Sequence, residues 1–202
     1  MSSEPTREVE LKAVVEDLRQ ARHAVDDAGG RLVFAGRLED RRYDSANHAL
    51  AGRDEVLRLR TYRDAERSRA HLDWKGPTQI VDAFKVRDEL TTQVTEADAL
   101  AAMLDHLGYI VIREIDRDIA QYILNGTTIR FERYPRMDTL VEVEGTPEGI
   151  EAAIAVMGIP RSRFTSERLP DFVRSYETRT GLRAALSQRE LAGEYRYSVK
   201  DA

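Results

Sequence analysis

Polar and apolar residues alternate with a period of two along much of this chain, the pattern of strands that bury one face. In residues 8–12, Glu8, Glu10 and Lys12 share one face and Val9 and Leu11 the other. The same grammar returns with Arg58 and Arg60 against Leu57 and Leu59, and with His71, Asp73 and Lys75 against Leu72 and Trp74. It recurs with Arg130 and Glu132 against Ile129 and Phe131, and with Glu142 and Glu144 against Val141 and Val143. Beyond the first segment, strands are predicted over residues 31–34, 39–43, 56–62, 70–75, 84–90, 109–113, 117–124, 127–133 and 139–144.

Helical spacing interrupts this pattern. Residues 16–28 carry Leu18, Ala21, Ala24, Val25 and Ala28 on one face and stop at Gly29-Gly30. A second helix is predicted from Thr95, with Asp98 completing a capping box, burying Leu100, Met103, Leu104 and Leu107 before Gly108. Thr146-Pro147 opens a third, with Ile150, Ile154 and Met157 inward and Gly158 as its stop. Residues 171–178 read as a short fourth helix, and residues 186–202 as a loosely docked tail. The expected organisation is one domain over residues 1–185 plus that tail.

Two arrangements account for the strand parity. An ordinary antiparallel sheet would put its apolar face on the core and its charged face in water. A barrel would turn the charges into a wet lumen and cover its apolar outside with the helices. The greasy helix faces need a surface to pack on, which favours the barrel. The polar face is also segregated, with glutamates gathered in the first and last strands and Arg and Lys between them. Its basic set, Lys12, Arg58, Arg60, Lys75, Lys85, Arg87, Arg113, Arg117 and Arg130, outnumbers Glu8, Glu10, Glu89, Glu132, Glu142 and Glu144. Such a lumen suits a polyphosphate.

Composition narrows the chemistry. There are no cysteines, so thiolate metal sites are excluded and a metal would be held by oxygen, alone or with one of the four histidines. The net charge of −5 argues against nucleic acid as a partner. No signal-like or membrane-spanning run occurs, which leads to an expected cytoplasmic protein without a membrane partner. Trp74 is expected to pack beneath a helix, and His71, sharing parity with Lys75, to be solvated or hydrogen-bonded. Tyr195 and Tyr197 are expected to dock either on the barrel or on a second subunit of a homodimer.

Taken in order, Glu8-x-Glu10-x-Lys12, Leu57-Arg58-Leu59-Arg60, Trp74-Lys75-Gly76-Pro77, Arg87-Asp88-Glu89 and Leu107-Gly108-Tyr109 form a spaced series. It continues through Arg117 ahead of Tyr122, Val141-Glu142-Val143-Glu144-Gly145 and Arg174-Ser175-Tyr176. This series resembles the CYTH superfamily, the triphosphate tunnel metalloenzymes that include class IV adenylyl cyclases and thiamine triphosphatases. The resemblance implies an α+β fold: an eight-stranded antiparallel β-barrel forming a charged tunnel, with helices packed outside.

By the same resemblance, Glu8, Glu10, Glu142 and Glu144 match metal-binding carboxylates for Mg²⁺ or Mn²⁺. Lys12, Arg58, Arg60, Lys75 and Arg87 match phosphate ligands, with Arg113 or Arg117 filling a further basic position. Glu132 stands where the family usually has Asp, an extra methylene on an expected metal ligand. Glu8, Glu10 and Lys12 are the expected catalytic group. The implied activity is metal-dependent hydrolysis of inorganic triphosphate, ATP or thiamine triphosphate. The alternatives are an adenylyl cyclase making cyclic AMP and pyrophosphate, and a non-catalytic polyphosphate-binding module.

Overall fold

The computed structural model describes residues 4–196. Nine antiparallel strands form one sheet: β1 (Thr6–Val14), β2 (Arg31–Ser45), β3 (Val56–Arg63), β4 (Ser68–Lys75), β5 (Gln79–Val81), β6 (Phe84–Val94), β7 (Tyr109–Leu124), β8 (Thr127–Arg133) and β9 (Leu140–Glu144). The order β1-β9-β8-β7-β2-β3-β4-β6 closes on itself because β1 also pairs with β6, with Glu8 opposite Arg87 and Glu10 opposite Lys85. β5 is an extra strand on the edge of β6. The expected eight-stranded barrel is therefore the observed one, and closure leaves no long open edge.

Two pairs of predicted strands are each a single long strand. Residues 31–34 and 39–43 merge into β2, and residues 109–113 and 117–124 into β7. Gly36 reads as a break in sequence, yet here it allows close approach: a Cβ at that position would lie 2.3 Å from the Arg63 carbonyl oxygen. In β7 the alternation is masked because Glu114 and Asp116, on the outer face, are themselves ion-paired with Arg41. The short, exposed β5 carries too few residues to show a period.

Five helices cover the barrel: α1 (Leu18–Asp27), α2 (Ala97–His106), α3 (Pro147–Val156), α4 (Leu169–Thr180) and α5 (Gln188–Leu191). α1 and α3 bury Ala21, Val25, Ile150, Ala153 and Ile154 against the outer apolar face formed by Leu11, Val141, Val143, Ile129 and Phe131. Full burial of an isoleucine here contributes about 1.5–3 kcal/mol. Asp17 caps α1, and the Thr146 hydroxyl accepts from the Gly149 N–H at the start of α3.

α2 departs from expectation. It begins at Ala97 with no side-chain cap, so the Thr95 to Asp98 capping box does not form. Of its apolar set, Leu104 is buried against Tyr43, Leu59 and Ala70, whereas Met103 and Leu107 are 59% and 74% exposed. A helix of ten residues on the curved wall of a barrel meets it along a narrow seam, too narrow to bury all four residues.

α4 is longer than predicted because Pro170 suits its first turn and the Asp171 carboxylate accepts from the Arg168 N–H. Its Phe172 and Val173 pack with Ile115, Tyr134 and Leu140, closing one end of the barrel. Leu38, Phe34 and Ile119, with Tyr62, form an apolar layer toward the other end. The described part of the tail lies on β7: the Asp116 N–H donates to the Leu186 carbonyl, Arg189 pairs with Glu114, and the Tyr195 hydroxyl donates to the Ile112 carbonyl. Tyr197 lies outside the described residues. Among the described residues, no helix is long and apolar enough to cross a membrane.

Candidate active site

Strand parity delivers the charged set to the interior. Glu8, Glu10, Lys12, Arg58, Arg60, Lys75, Lys85, Arg87, Arg113, Arg117, Arg130, Glu132 and Glu142 are all buried, and Glu89 and Glu144 are partly buried. The ordinary sheet with a solvated charged face is thus excluded. Trp74 is half-buried on the outer parity of β4.

The interior charges alternate in sign around the circumference. From Lys85 the contacts run to Glu10 at 2.5 Å, then to Lys12 at 2.6 Å and on to Glu142 at 2.6 Å. Glu142 meets Arg130, which reaches Glu132 at 3.1 Å, and Glu132 meets Arg117 at 3.0 Å. Arg117 then pairs with Asp40 at 2.7 Å and Asp40 with Arg60 at 3.1 Å. Asp73 links Arg60 to Arg58, and Arg58, Glu89, Lys75 and Glu8 complete the circuit back to β1. A belt of this kind costs several kcal/mol per ion to desolvate and is held only because each charge faces an opposite one.

The pairings shift the titrations. Burial alone would raise the Glu10 carboxyl, but Lys12, Lys85 and Lys75 outweigh it and hold it well below the ordinary range. Burial would likewise raise Glu132, yet Arg117, Arg130 and the Tyr134 hydroxyl, which donates to Oε2 at 2.5 Å, bring it to about 2. Glu144 moves the other way. Burial and then the Glu8 carboxylate raise it, against the opposing pull of Arg130 and Lys75, and among the described residues its side chain makes no hydrogen bond or ion pair. Glu10 and Glu144 sit directly opposite each other on β1 and β9.

A cavity of about 90 Å³ lies inside the belt, walled by Glu10, Lys12, Asp40, Arg58, Lys75, Lys85, Arg117, Arg130 and Glu142. At one end it reaches Arg168, Leu169 and Pro170 of the α4 entry, and residues 54–56. There Asp54 accepts from the Thr78 N–H and pairs with Arg168 at 3.1 Å, tying three segments together.

The structure places the predicted residues in three groups. Glu10, Lys12, Arg58, Arg60, Lys75 and Arg117 meet in the belt as described, with Glu8 and Glu142. Arg87 lines the cavity but spends Nε and Nη2 on the Gly76 and Asp54 carbonyls. Of the two candidates for the further basic position, Arg117 lines the cavity and Arg113 is fully buried outside its lining. His71 lies beside Tyr62, at 5.7 Å between ring centroids, and lines a different cavity.

Four residues escaped sequence reasoning. Asp40 and Arg42 sit on the inward parity of β2, but the adjacent Arg41 hid the alternation. Asp73 showed inward parity yet was not counted with the lumen carboxylates, and Tyr134 lies beyond the end of β8. With Asp40 and Asp73 inside, the lumen is closer to neutral than the sequence count implied.

The donor set can be tested against a divalent cation. Among the described residues, no three acidic or imidazole side chains converge to hold a metal. The chemistry nevertheless fits a hard cation: Glu8, Glu10 and Glu144 are oxygen donors on adjoining strands, and burial followed by the Glu8 carboxylate disfavours the bare charge of Glu144. Glu132 fits less well, since both its oxygens are already taken by Arg117, Arg130 and Tyr134.

Comparison with known proteins agrees with this geometry. A protein from Vibrio parahaemolyticus, provisionally named an adenylate cyclase, superposes with a TM-score of 0.71 at 19% identity over 84% of this chain and 99% of its own. A Pyrococcus horikoshii OT3 protein gives 0.67 at 24% identity over 80% and 94%. A Hippeastrum protein, provisionally named an adenylyl cyclase and described as having a dominant triphosphatase activity, gives 0.59 at 16% identity over 89% and 99%. At these identities the likeness is one of fold. No curated protein matches the sequence. The CYTH domain family model matches residues 6–152, a span that contains the whole charged belt and stops short of Arg174-Ser175-Tyr176. With the closed barrel, the inward charges and this match over most of its length, the chain belongs to the CYTH domain family.

Proposed function

We propose that this protein is a divalent-metal-dependent triphosphatase that binds a triphosphate inside the barrel and hydrolyses its terminal phosphoanhydride bond. The observation that carries this reading is the buried belt of guanidinium and ammonium groups lining an enclosed cavity. Guanidinium forks suit phosphate oxygens, and phosphoryl transfer needs little beyond positioning and neutralisation of charge. Entry of a triphosphate exchanges internal carboxylate partners for phosphate oxygens, so Arg60, Arg117 and Arg130 keep a counter-charge throughout. Lys12 and Lys75, as point charges on flexible stems, can follow the moving charge.

Glu8, Glu10 and Glu144 are the best-fitting holders of Mg²⁺ or Mn²⁺, with Glu142 adjoining. A cation bound there would supply Lewis-acid stabilisation of the phosphoryl oxygens. Once the lysines turn to phosphate, Glu8 or Glu10 is free to orient an attacking water. The lumen charges are mostly buried, which strengthens each charge interaction within.

The test is incubation with Mg²⁺ or Mn²⁺ and inorganic triphosphate, ATP or thiamine triphosphate, with all products resolved chromatographically. Orthophosphate release is expected. Cyclic AMP with pyrophosphate would replace this reading with a cyclase, and saturable binding without product would replace it with a binding module. In the same assay, Arg60→Ala is expected to raise KM for triphosphate about 10–100-fold, more than it lowers kcat.

A further inference from the structure

Glu132 stands where the family usually has Asp, and the structure gives its longer side chain a use. Its Oε1 accepts from Arg117 Nε at 3.0 Å and from Arg130 Nε at 3.1 Å, while its Oε2 accepts from the Tyr134 hydroxyl at 2.5 Å. Both guanidiniums are therefore gripped by their inner nitrogens. Their outer nitrogens meet other partners: Arg117 Nη1 donates to Asp40 at 2.7 Å and Arg130 Nη2 donates to Glu142. All six side chains line the belt cavity. A carboxylate with one oxygen shared between two guanidiniums can rotate into a bidentate grip on either, which is the stronger pairing. The Tyr134 hydroxyl on Oε2 opposes that rotation and keeps Glu132 between the two arginines.

Tyr134 is itself fixed by its surroundings. Pro135 follows it and holds its backbone away from the helical region. Its side chain is buried with Ile115, Leu140, Phe172 and Val173, and the Arg117 guanidinium lies 5.9 Å from its ring centroid. The chain just beyond is anchored too, since Arg136 and Ala185 exchange backbone hydrogen bonds of 3.1 and 2.8 Å. Phe172, Val173 and Ala185 all lie past residue 152, where the CYTH match ends. Burial and the Glu132 charge raise the Tyr134 hydroxyl well above its ordinary range, against the opposing pull of Arg117 and Arg130, so it keeps its proton and remains a donor.

We propose that Tyr134 is a positioning residue for phosphate binding: through Glu132 it holds Arg117 and Arg130 side by side, and Glu132 serves this clamp instead of a metal ion. This rests on the reading of the lumen as a triphosphate site and deepens it by separating the residues that arrange phosphate from those that hold the cation. Phosphate oxygens replace Asp40 and Glu142 at the outer nitrogens, while the inner nitrogens stay on Glu132. Through Phe172 and Val173, the segment beyond the family match takes part in the site.

The experiment is calorimetric titration of the full-length protein with inorganic triphosphate in the absence of metal, and separately with Mn²⁺ alone, at a temperature where melts show each variant fully folded. Tyr134→Phe removes the hydroxyl and keeps the ring. It is expected to weaken triphosphate binding about tenfold, the scale of one hydrogen bond to a charged group. In a Glu132→Gln background the same change should add about twofold or less, because the hydroxyl acts through the carboxylate. Glu132→Asp, which keeps the charge and shortens the reach, should weaken triphosphate binding as Tyr134→Phe does. Mn²⁺ affinity should stay within about twofold in all of these variants, where loss of a metal ligand or its support would cost about tenfold or more.

Three results would overturn the proposal: undiminished triphosphate affinity in Tyr134→Phe, an equal loss from that change with and without Glu132, or Mn²⁺ affinity lowered about tenfold in Glu132→Gln. Should Glu132→Gln not fold, Tyr134→Phe against the wild type decides alone. A wild-type protein that binds no triphosphate removes the triphosphate reading and the clamp with it, whereas equal binding by wild type and Tyr134→Phe removes only the clamp.

Discussion

Asp40→Asn is expected to lower the unfolding free energy by about 3–5 kcal/mol, the largest stability loss foreseen for a lumen residue. Asp40 is 1% exposed and accepts from Arg60 Nε at 3.1 Å and from Arg117 Nη1 at 2.7 Å. Asparagine keeps the shape but removes the charge, leaving two buried guanidiniums without their shared anion. Burial alone would raise the Asp40 carboxyl, but Arg117 and Arg60 outweigh it and hold it well below the ordinary range. A carboxyl depressed in the folded state contributes its full stability above its unfolded pKa of about 4 and loses it as pH falls through the lower folded value. Urea unfolding of the wild type should therefore weaken below about pH 4, and Asp40→Asn should show a flatter acid limb. Equal stability of the two proteins at neutral pH would mean that the belt does not hold the barrel together.

The second large effect is on turnover. Glu10→Ala should reduce metal-dependent activity by at least about 10²–10³-fold, as removal of a group that positions charge in the reacting centre does. Glu10 is fully enclosed and anchors Lys12 and Lys85. Its loss also leaves the lumen more positive, so triphosphate binding measured without metal should be retained or tightened. That divergence separates a catalytic carboxylate from a structural one, whose removal would lower binding and activity together. Full turnover in Glu10→Ala would sink the assignment of the acidic corner.

Much of the barrel was legible because alternation survives wherever one face is apolar and the other charged. Residues 8–12, 56–62 and 127–133 show this plainly, and their parity placed Glu8, Arg60 and Arg130 inward correctly. Legibility failed where both faces carry charge. Arg41 and Arg42 point to opposite sides of β2, one to Asp116 and the other into the cavity, and in sequence they read as a single basic pair. The middle of β7 was lost for the same reason. Spacing also over-reads helices: α2 has the apolar residues for a wide buried stripe, yet the curved sheet covers only Leu104 fully.

The sequence by itself determined that Glu8, Glu10, Lys12, Arg58, Arg60, Lys75, Arg130 and Glu142 turn inward and how the elements that carry them follow one another, because period-two parity and helix stops are local properties of the chain. Only the tertiary structure decided which carboxylate holds which cation. The pairs Asp40 with Arg117, Glu8 with Lys75 and Glu142 with Lys12 join residues distant in sequence, through barrel closure and strand register. It also decided that, among the described residues, the Arg42 and Glu144 side chains make no direct ion pair, because whether a charge meets a partner depends on every strand around it at once.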